Sequence, residues 1–145
     1  SCLQFCPLLN SRCILYIHKS HSRAAIQRHY LIRDGLRESL KALDLNLLVT
    51  KDSYASPTVT SFIPHDKDEL TYIKSTLKSR FNITIAGGQG KLKGTILRIG
   101  HMGKISPFDI LAVVSALEII LTSNRNVNYI GKGITQFMEV IGHES

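Results

Sequence analysis

The chain has no uninterrupted apolar run near the ~20 residues that a bilayer-spanning helix needs. The stretch Cys13 to Ile17 near its start is far too short, and no membrane is expected as a partner. The cysteines Cys2, Cys6 and Cys13 all fall at the extreme N-terminal end. An odd number confined to one end argues against a disulfide framework. Their C-x3-C-x6-C spacing lacks the second half of a zinc site, so free thiols in a loosely ordered leader are expected. No acidic residue precedes Asp34, while arginines and serines are frequent there, a composition like that of organelle-targeting segments. The last residues, Gly142-His143-Glu144-Ser145, are not a clear peroxisomal signal, which leaves the compartment open between cytoplasm, peroxisome, mitochondrion and plastid. No nucleophile is paired with a base, and no histidine stands at metal-ligand spacing, so neither a triad nor a metal is expected. Basic residues interleaved with exposed aromatics are missing too, which argues against nucleic acid as a partner.

The chain that remains is 145 residues long, one domain or a piece of a larger one, with 43% hydrophobic residues, enough for a modest core. Its net charge of +7 is uneven. Residues 1–43 hold seven Lys/Arg against two acids, and residues 44–145 hold eleven against nine, so the excess sits in the N-terminal third.

From His21 to Leu43 the pattern is helical, with Ile32, Leu36, Leu40 and Leu43 as one apolar stripe. Gly35 inside this helix implies close packing against a neighbour. Arg33, Arg37 and Lys41 follow on another face, expected to be solvated because Asp34 and Glu38 lie alongside. Leu45 to Val49 and Thr58 to Ile63 read as strands, the second with Val59 and Ile63 on one face, separated by a turn over Ser53 to Pro57. Asp66 can cap a helix with Glu69 as reciprocal partner, its buried face being Leu70, Ile73, Leu77 and Phe81. A strand over Ile83 to Ala86, begun by Asn82, and another over Thr95 to Gly100 flank a glycine loop. Ser106, Pro107 and Asp109 open a helix with Ile110, Val113, Val114, Leu117 and Leu121 inward, ending at Ser123-Asn124. A last helix is expected over Ile134 to Ile141. This order predicts an α+β domain, a small, mostly antiparallel sheet of about four strands covered on one face by helices.

The richest chemistry lies in Thr95 to Gly103, where Arg98 sits inside a short apolar strand. A guanidinium among apolar neighbours is costly unless a partner meets it, and its planar fork matches a carboxylate. Upstream runs Gly87-Gly88-Gln89-Gly90, a flexible loop able to approach a ligand closely or simply a hairpin connection. It is no dinucleotide fingerprint, since Gly94 comes one residue late and a strand follows it. His101 is a candidate acid or base, or a residue that hydrogen-bonds within its turn.

Ser56-Pro57-Thr58-Val59-Thr60, Ala86-Gly87-Gly88-Gln89-Gly90, Arg98-Ile99-Gly100-His101-Met102-Gly103 and Ala116-Leu117-Glu118 occur in that order, with Arg28-His29 and Lys41-Ala42-Leu43 before them. Together they resemble the C-terminal small domain of class V aminotransferases, in the branch of the alanine–glyoxylate and serine–glyoxylate (serine–pyruvate) enzymes. The resemblance covers residues 24–141 and implies a fold-type I homodimer that uses pyridoxal 5'-phosphate, with an amino acid and a 2-oxo acid as substrates. It implies that Arg98 binds the substrate α-carboxylate. The family's Schiff-base lysine belongs to the large domain, and no lysine here sits in that motif. Residues 1–23 are an unmatched leader, residues 24–145 the small domain, and the large domain is absent from the sequence. The resemblance therefore implies that the chain alone should not transaminate. A sister class, the cysteine desulfurases, would want a cysteine near the arginine strand. A non-catalytic domain binding small acids or a partner subunit is the alternative. An anion- or RNA-binding module using Arg33, Arg37, Lys41, Lys91 and Lys93 is a third.

Overall fold

The computed structural model of the chain describes residues 3–4 and 23–143. In chain order its elements are β1 (Leu3–Gln4), α1 (Arg23–Ala42), β2 (Asn46–Leu47), β3 (Val59–Ile63), α2 (Lys67–Phe81), β4 (Ile83–Thr84), β5 (Ala86–Gly87), β6 (Leu97–Gly100), α3 (Pro107–Arg125) and α4 (Lys132–Gly142). Four strands form one antiparallel sheet in the order β2-β3-β6-β5, and β1 pairs in parallel with β4. The expected α+β layer is therefore present. The three cysteines lie outside the described residues, as does most of the leader.

Register decides which side of the sheet is wet. Phe62 stands opposite Leu97 and Thr60 opposite Ile99, and all four are buried. Ser61, Arg98 and Ala86 lie in one row on the opposite face and are half-buried. Val59 and Ile63 do share a face, but it is this outer one, so the packed face of β3 is Thr60 and Phe62. The expected strand over 83–86 is split into β4 and β5 at the buried Ile85. Asn82 does not begin a strand; it has φ 53° and donates its N–H to the carbonyls of Leu77 and Lys78. The strand expected over 45–49 shortens to two residues.

On the covered face, Ile32, Leu36 and Leu40 of α1 and Leu43 just after it are all fully buried, as their spacing predicts. α1 and α4 approach closely through small residues. A Cβ on Gly35 would lie 2.9 Å from the Phe137 ring, and one on Gly133 would lie 2.9 Å from Val114. The Ser39 hydroxyl lies 2.9 Å from the Gly35 carbonyl and 2.8 Å from that of Gly133. α3 is the central helix. It is long and apolar enough by length and composition to cross a membrane, yet Ile110, Val113, Val114, Leu117, Ile120 and Leu121 are all fully buried in the core. Ser106 and Asp109 form the expected reciprocal cap at its start, with Pro107 in the first turn. Glu118, buried on the same helix, accepts the N–H groups of Gly131 and Ile134 (both 2.8 Å), which would otherwise be orphaned at the start of α4.

Asp66 caps α2 as expected, accepting from the Glu69 N–H at 2.7 Å. Glu69 does not return the bond to Asp66. Its carboxylate accepts the His65 N–H at 2.6 Å and takes a fork from Arg125, Nε at 2.6 Å and Nη2 at 3.0 Å. The remaining Arg125 nitrogen, Nη1, donates to the carbonyls of Leu43 and Asp44 at 3.0 and 3.2 Å. Burial alone would raise the Glu69 pKa, but Arg125 and the His65 N–H outweigh it and hold the carboxyl below its ordinary value. Removing one partner of such a buried pair leaves the other charged and unsatisfied. Arg125→Met is expected to cost about 3–5 kcal/mol of stability, measured by urea unfolding. Adding Glu69→Leu to it should recover part of that loss.

Candidate active-site cleft

Arg98 lies in the second-innermost row of the sheet. β6 is bonded to β3 on one side and β5 on the other, so the backbone of Arg98 is held from both flanks. Leu97 and Ile99 fill the core and send Arg98 to the outer face. Its Nε donates to the Gly87 carbonyl at 2.8 Å. The Gly88 N–H donates to Ile96 O, so by antiparallel alternation the N–H and C=O of Gly87 point away from β6, at the open edge of the sheet. The arginine side chain thus wraps the edge strand and is anchored there by main chain. Among the described residues no carboxylate pairs with it, and Arg98 lines a cleft of about 600 Å³.

The glycine stretch contributes Gly87, Gly88 and Gln89 to that cleft; Gly90 does not line it. The stretch is a hairpin connection between β5 and β6, closed by bonds from Leu92 N to Gln89 O (3.1 Å), Lys93 N to Gly90 O (3.2 Å) and Thr95 N to Leu92 O (3.1 Å). The loop expected to be flexible is therefore pinned by its own main chain. Gly90 and Gly94 turn it with φ of 57° and 73°. Gly88 is required for a different reason, since a Cβ there would fall 2.1 Å from the Leu92 carbonyl oxygen.

His101 is not at the cleft. It is fully buried, its Nε2 lies 2.9 Å from the Thr60 hydroxyl, and its N–H donates to Thr58 O at 2.8 Å. Its carbonyl accepts from His29 Nδ1 at 3.2 Å, while Arg28 reaches the Gly103 carbonyl at 3.4 Å. Three short motifs, Arg28-His29, Ser56 to Thr60 and Arg98 to Gly103, thus meet at the end of β6 and hold its exit turn. Burial, then the neighbouring His29 and Arg33, push the His101 pKa down to about 4. It stays neutral at physiological pH, and its ring bonds Thr60 on β3 and not a group within its own turn, while the buried Nδ1 has no partner among the described residues.

The basic face of α1 is not free either. Arg37 is buried and bonds Asp52 (2.9 Å) and Thr50 O (3.3 Å), and Arg33 bonds Asp34 (2.7 Å) and stacks on Tyr30. Only Lys41, paired with Glu38, matches the expected solvated face. The sequence also hid Lys74 of α2, which lines the cleft; at helical spacing it reads as one more exposed lysine. Among the described residues no three His, Cys, Asp or Glu side chains come together as metal ligands.

A half-open sheet covered by helices, with one tethered arginine beside a glycine hairpin, makes this a small α+β domain. No protein-family profile matches the chain. Among curated proteins it is 43% identical over 119 residues to the soluble hydrogenase small subunit of a Synechococcus strain, covering 81% of this chain and 30% of that protein. It is 30% identical over 128 residues to the pyridoxamine–pyruvate transaminase of Mesorhizobium japonicum, covering 88% of this chain and 32% of that one. In structure it matches pyridoxamine–pyruvate aminotransferase from Mesorhizobium loti with a TM-score of 0.80 and 28% identity, over 91% of this chain and 34% of that chain. The chain spans about a third of the length of these relatives. It belongs to the class V aminotransferases, to whose C-terminal small domain it corresponds.

Two outcomes follow from this geometry. Gly88→Ala should open the hairpin between β5 and β6, seen as faster amide exchange at Gly88 and Thr95 with the core exchange unchanged. For His101 the folded pKa lies below its unfolded value near 6.5, so below pH ~6.5 the unfolded chain takes up a proton the folded chain refuses. Stability should fall by up to about 3 kcal/mol between pH ~6.5 and ~4, as read from denaturant midpoints at each pH. His101→Asn should flatten that slope.

Proposed function

We propose that this chain is the substrate-carboxylate half of a transaminase that passes an amino group from alanine or serine to glyoxylate or another 2-oxo acid. The observation that carries the reading is Arg98, which lines the cleft, is anchored through Nε on Gly87 O and has no acid partner among the described residues. A carboxylate is the planar anion that fits two parallel guanidinium N–H bonds. Anchoring Nε in advance removes rotamer freedom before the ligand arrives, so less is lost on binding. The pinned glycine hairpin lets the ligand approach the main chain of Gly87 and Gly88 without a side chain in the way.

Pyridoxal 5'-phosphate would act as electron sink for the amino group in the full-length enzyme. The described residues do not cradle it by themselves. No aromatic side chain lines the cleft to stack on a pyridine ring, and its two lysines, Lys74 and Lys93, are both exposed. The cofactor belongs to a large domain in this reading, and the parent enzyme acts as a homodimer. The second reading, a non-catalytic domain that binds a small acid or a partner subunit, is favoured by that same lack of a cofactor cradle.

The first reading and the small-acid form of the second need Arg98 to bind an acid, and only the first gains activity when a large domain is supplied. Titrating the chain with pyruvate by NMR should give shifts at Gly87, Gly88 and Arg98. Arg98→Gln should weaken this binding roughly tenfold or more, from loss of a charge-assisted fork, without lowering the thermal midpoint. Undiminished pyruvate binding by that variant would sink the assignment.

A further inference from the structure

Arg98 is not the only cation at Gly87. Lys74 projects from the solvent side of α2, one residue beyond the buried Ile73, and its Nζ lies 3.6 Å from where a Cβ on Gly87 would stand. The ammonium and the guanidinium therefore reach the same edge residue, one bonded to its carbonyl and one over its Cα. Lys93 lines the same cleft across the hairpin. No aspartate or glutamate is among the lining residues, and neither Arg98 nor Lys74 has a carboxylate partner among the described residues. Like charges gathered in one partly shielded cleft repel each other, and they attract a ligand of opposite charge more than either would alone.

We propose that the cleft selects acids bearing a second anionic group, with the Arg98 fork holding one carboxylate and Lys74 reading the other. The ligand class is a dicarboxylate, so among the 2-oxo acids open to the proposed reaction the cleft favours one with a second carboxylate over glyoxylate. This rests on the reading of Arg98 as the carboxylate-holding residue. The division of labour follows from the two side chains. The planar, tethered guanidinium imposes an orientation, which suits the carboxylate next to the reacting carbon. The ammonium on a four-carbon stem is a mobile point charge that tolerates variation in where the distal group falls. Lys74 is thus a specificity-determining residue and takes no part in proton transfer.

The test uses the full chain and two unreactive probes of equal carbon number, succinate and butyrate, titrated by NMR at matched ionic strength. Succinate should bind roughly tenfold or more tightly than butyrate, the gain of one further charge contact. Lys74→Gln should bring the two within about twofold, and Lys74→Arg should keep most of the difference. Lys91→Gln, on the hairpin but outside the cleft lining, should leave it intact. If both probes bind wild type equally through Arg98, the dicarboxylate inference is wrong and the Arg98 assignment survives. Preference kept in Lys74→Gln, or lost equally in Lys91→Gln, would also overturn it, since overall charge would then explain the result. If neither probe binds, or if Arg98→Gln binds both unchanged, the Arg98 assignment itself fails and this inference falls with it.

Discussion

One guanidinium joins three separate parts of this domain. Arg125, at the end of α3, forks onto Glu69 in the first turn of α2 and reaches the carbonyls of Leu43 and Asp44 where α1 gives way to β2. Tyr129 completes the knot by donating to Asp44 Oδ2 at 3.1 Å. A buried charge is tolerable only when its hydrogen-bonding capacity is filled, and here both ends of the pair are filled several times over. The constraint matters beyond its own site. It sets where α2 begins, and the direction of α2 decides that Ile73 and Leu77 enter the core while Lys74 arrives at the edge of β5.

The same economy recurs elsewhere. Glu118 leaves the apolar face of α3 with a charge and spends it on two amide groups at the start of α4. That bond holds Gly133 against Val114 and Leu43, and so keeps the close seam between α1 and α4 where Gly35 meets Phe137. At the other end of the sheet His101 Nε2 and the Thr60 hydroxyl bond each other, although the buried Nδ1 of His101 has no partner among the described residues. Short motifs that look catalytic in a linear reading are in these cases the groups that complete buried hydrogen bonding.

Arg98 differs from all of them. Its backbone is locked in the sheet interior, its Nε is bonded to main chain, and its fork has no acid among the described residues. Structural arginines in this fold, Arg37 and Arg125, each have a carboxylate within bonding distance. A tethered cation without one fits the carboxylate-holding role proposed for it above. The family relationship is to the class V aminotransferases, of whose length the chain spans about a third.

Helix positions, the Ser106–Asp109 cap and the buried stripes of α1 and α3 were legible from spacing alone, because local periodicity and capping are properties of neighbouring residues. The four-strand antiparallel layer followed from the order and length of the segments, and Gly35 announced a close contact without naming Phe137. What lay outside the sequence was everything set by distant partners. Spacing could not show that Glu69 turns from its cap to Arg125, that Arg37 is buried on Asp52, or that His101 is sealed beneath Thr60. It singled out Arg98 as a residue needing a partner, since a charge in an apolar strand is costly anywhere. Only the tertiary structure decided that this arginine wraps the open edge of the sheet and meets Lys74 there, because edge, register and helix direction arise when the layers pack.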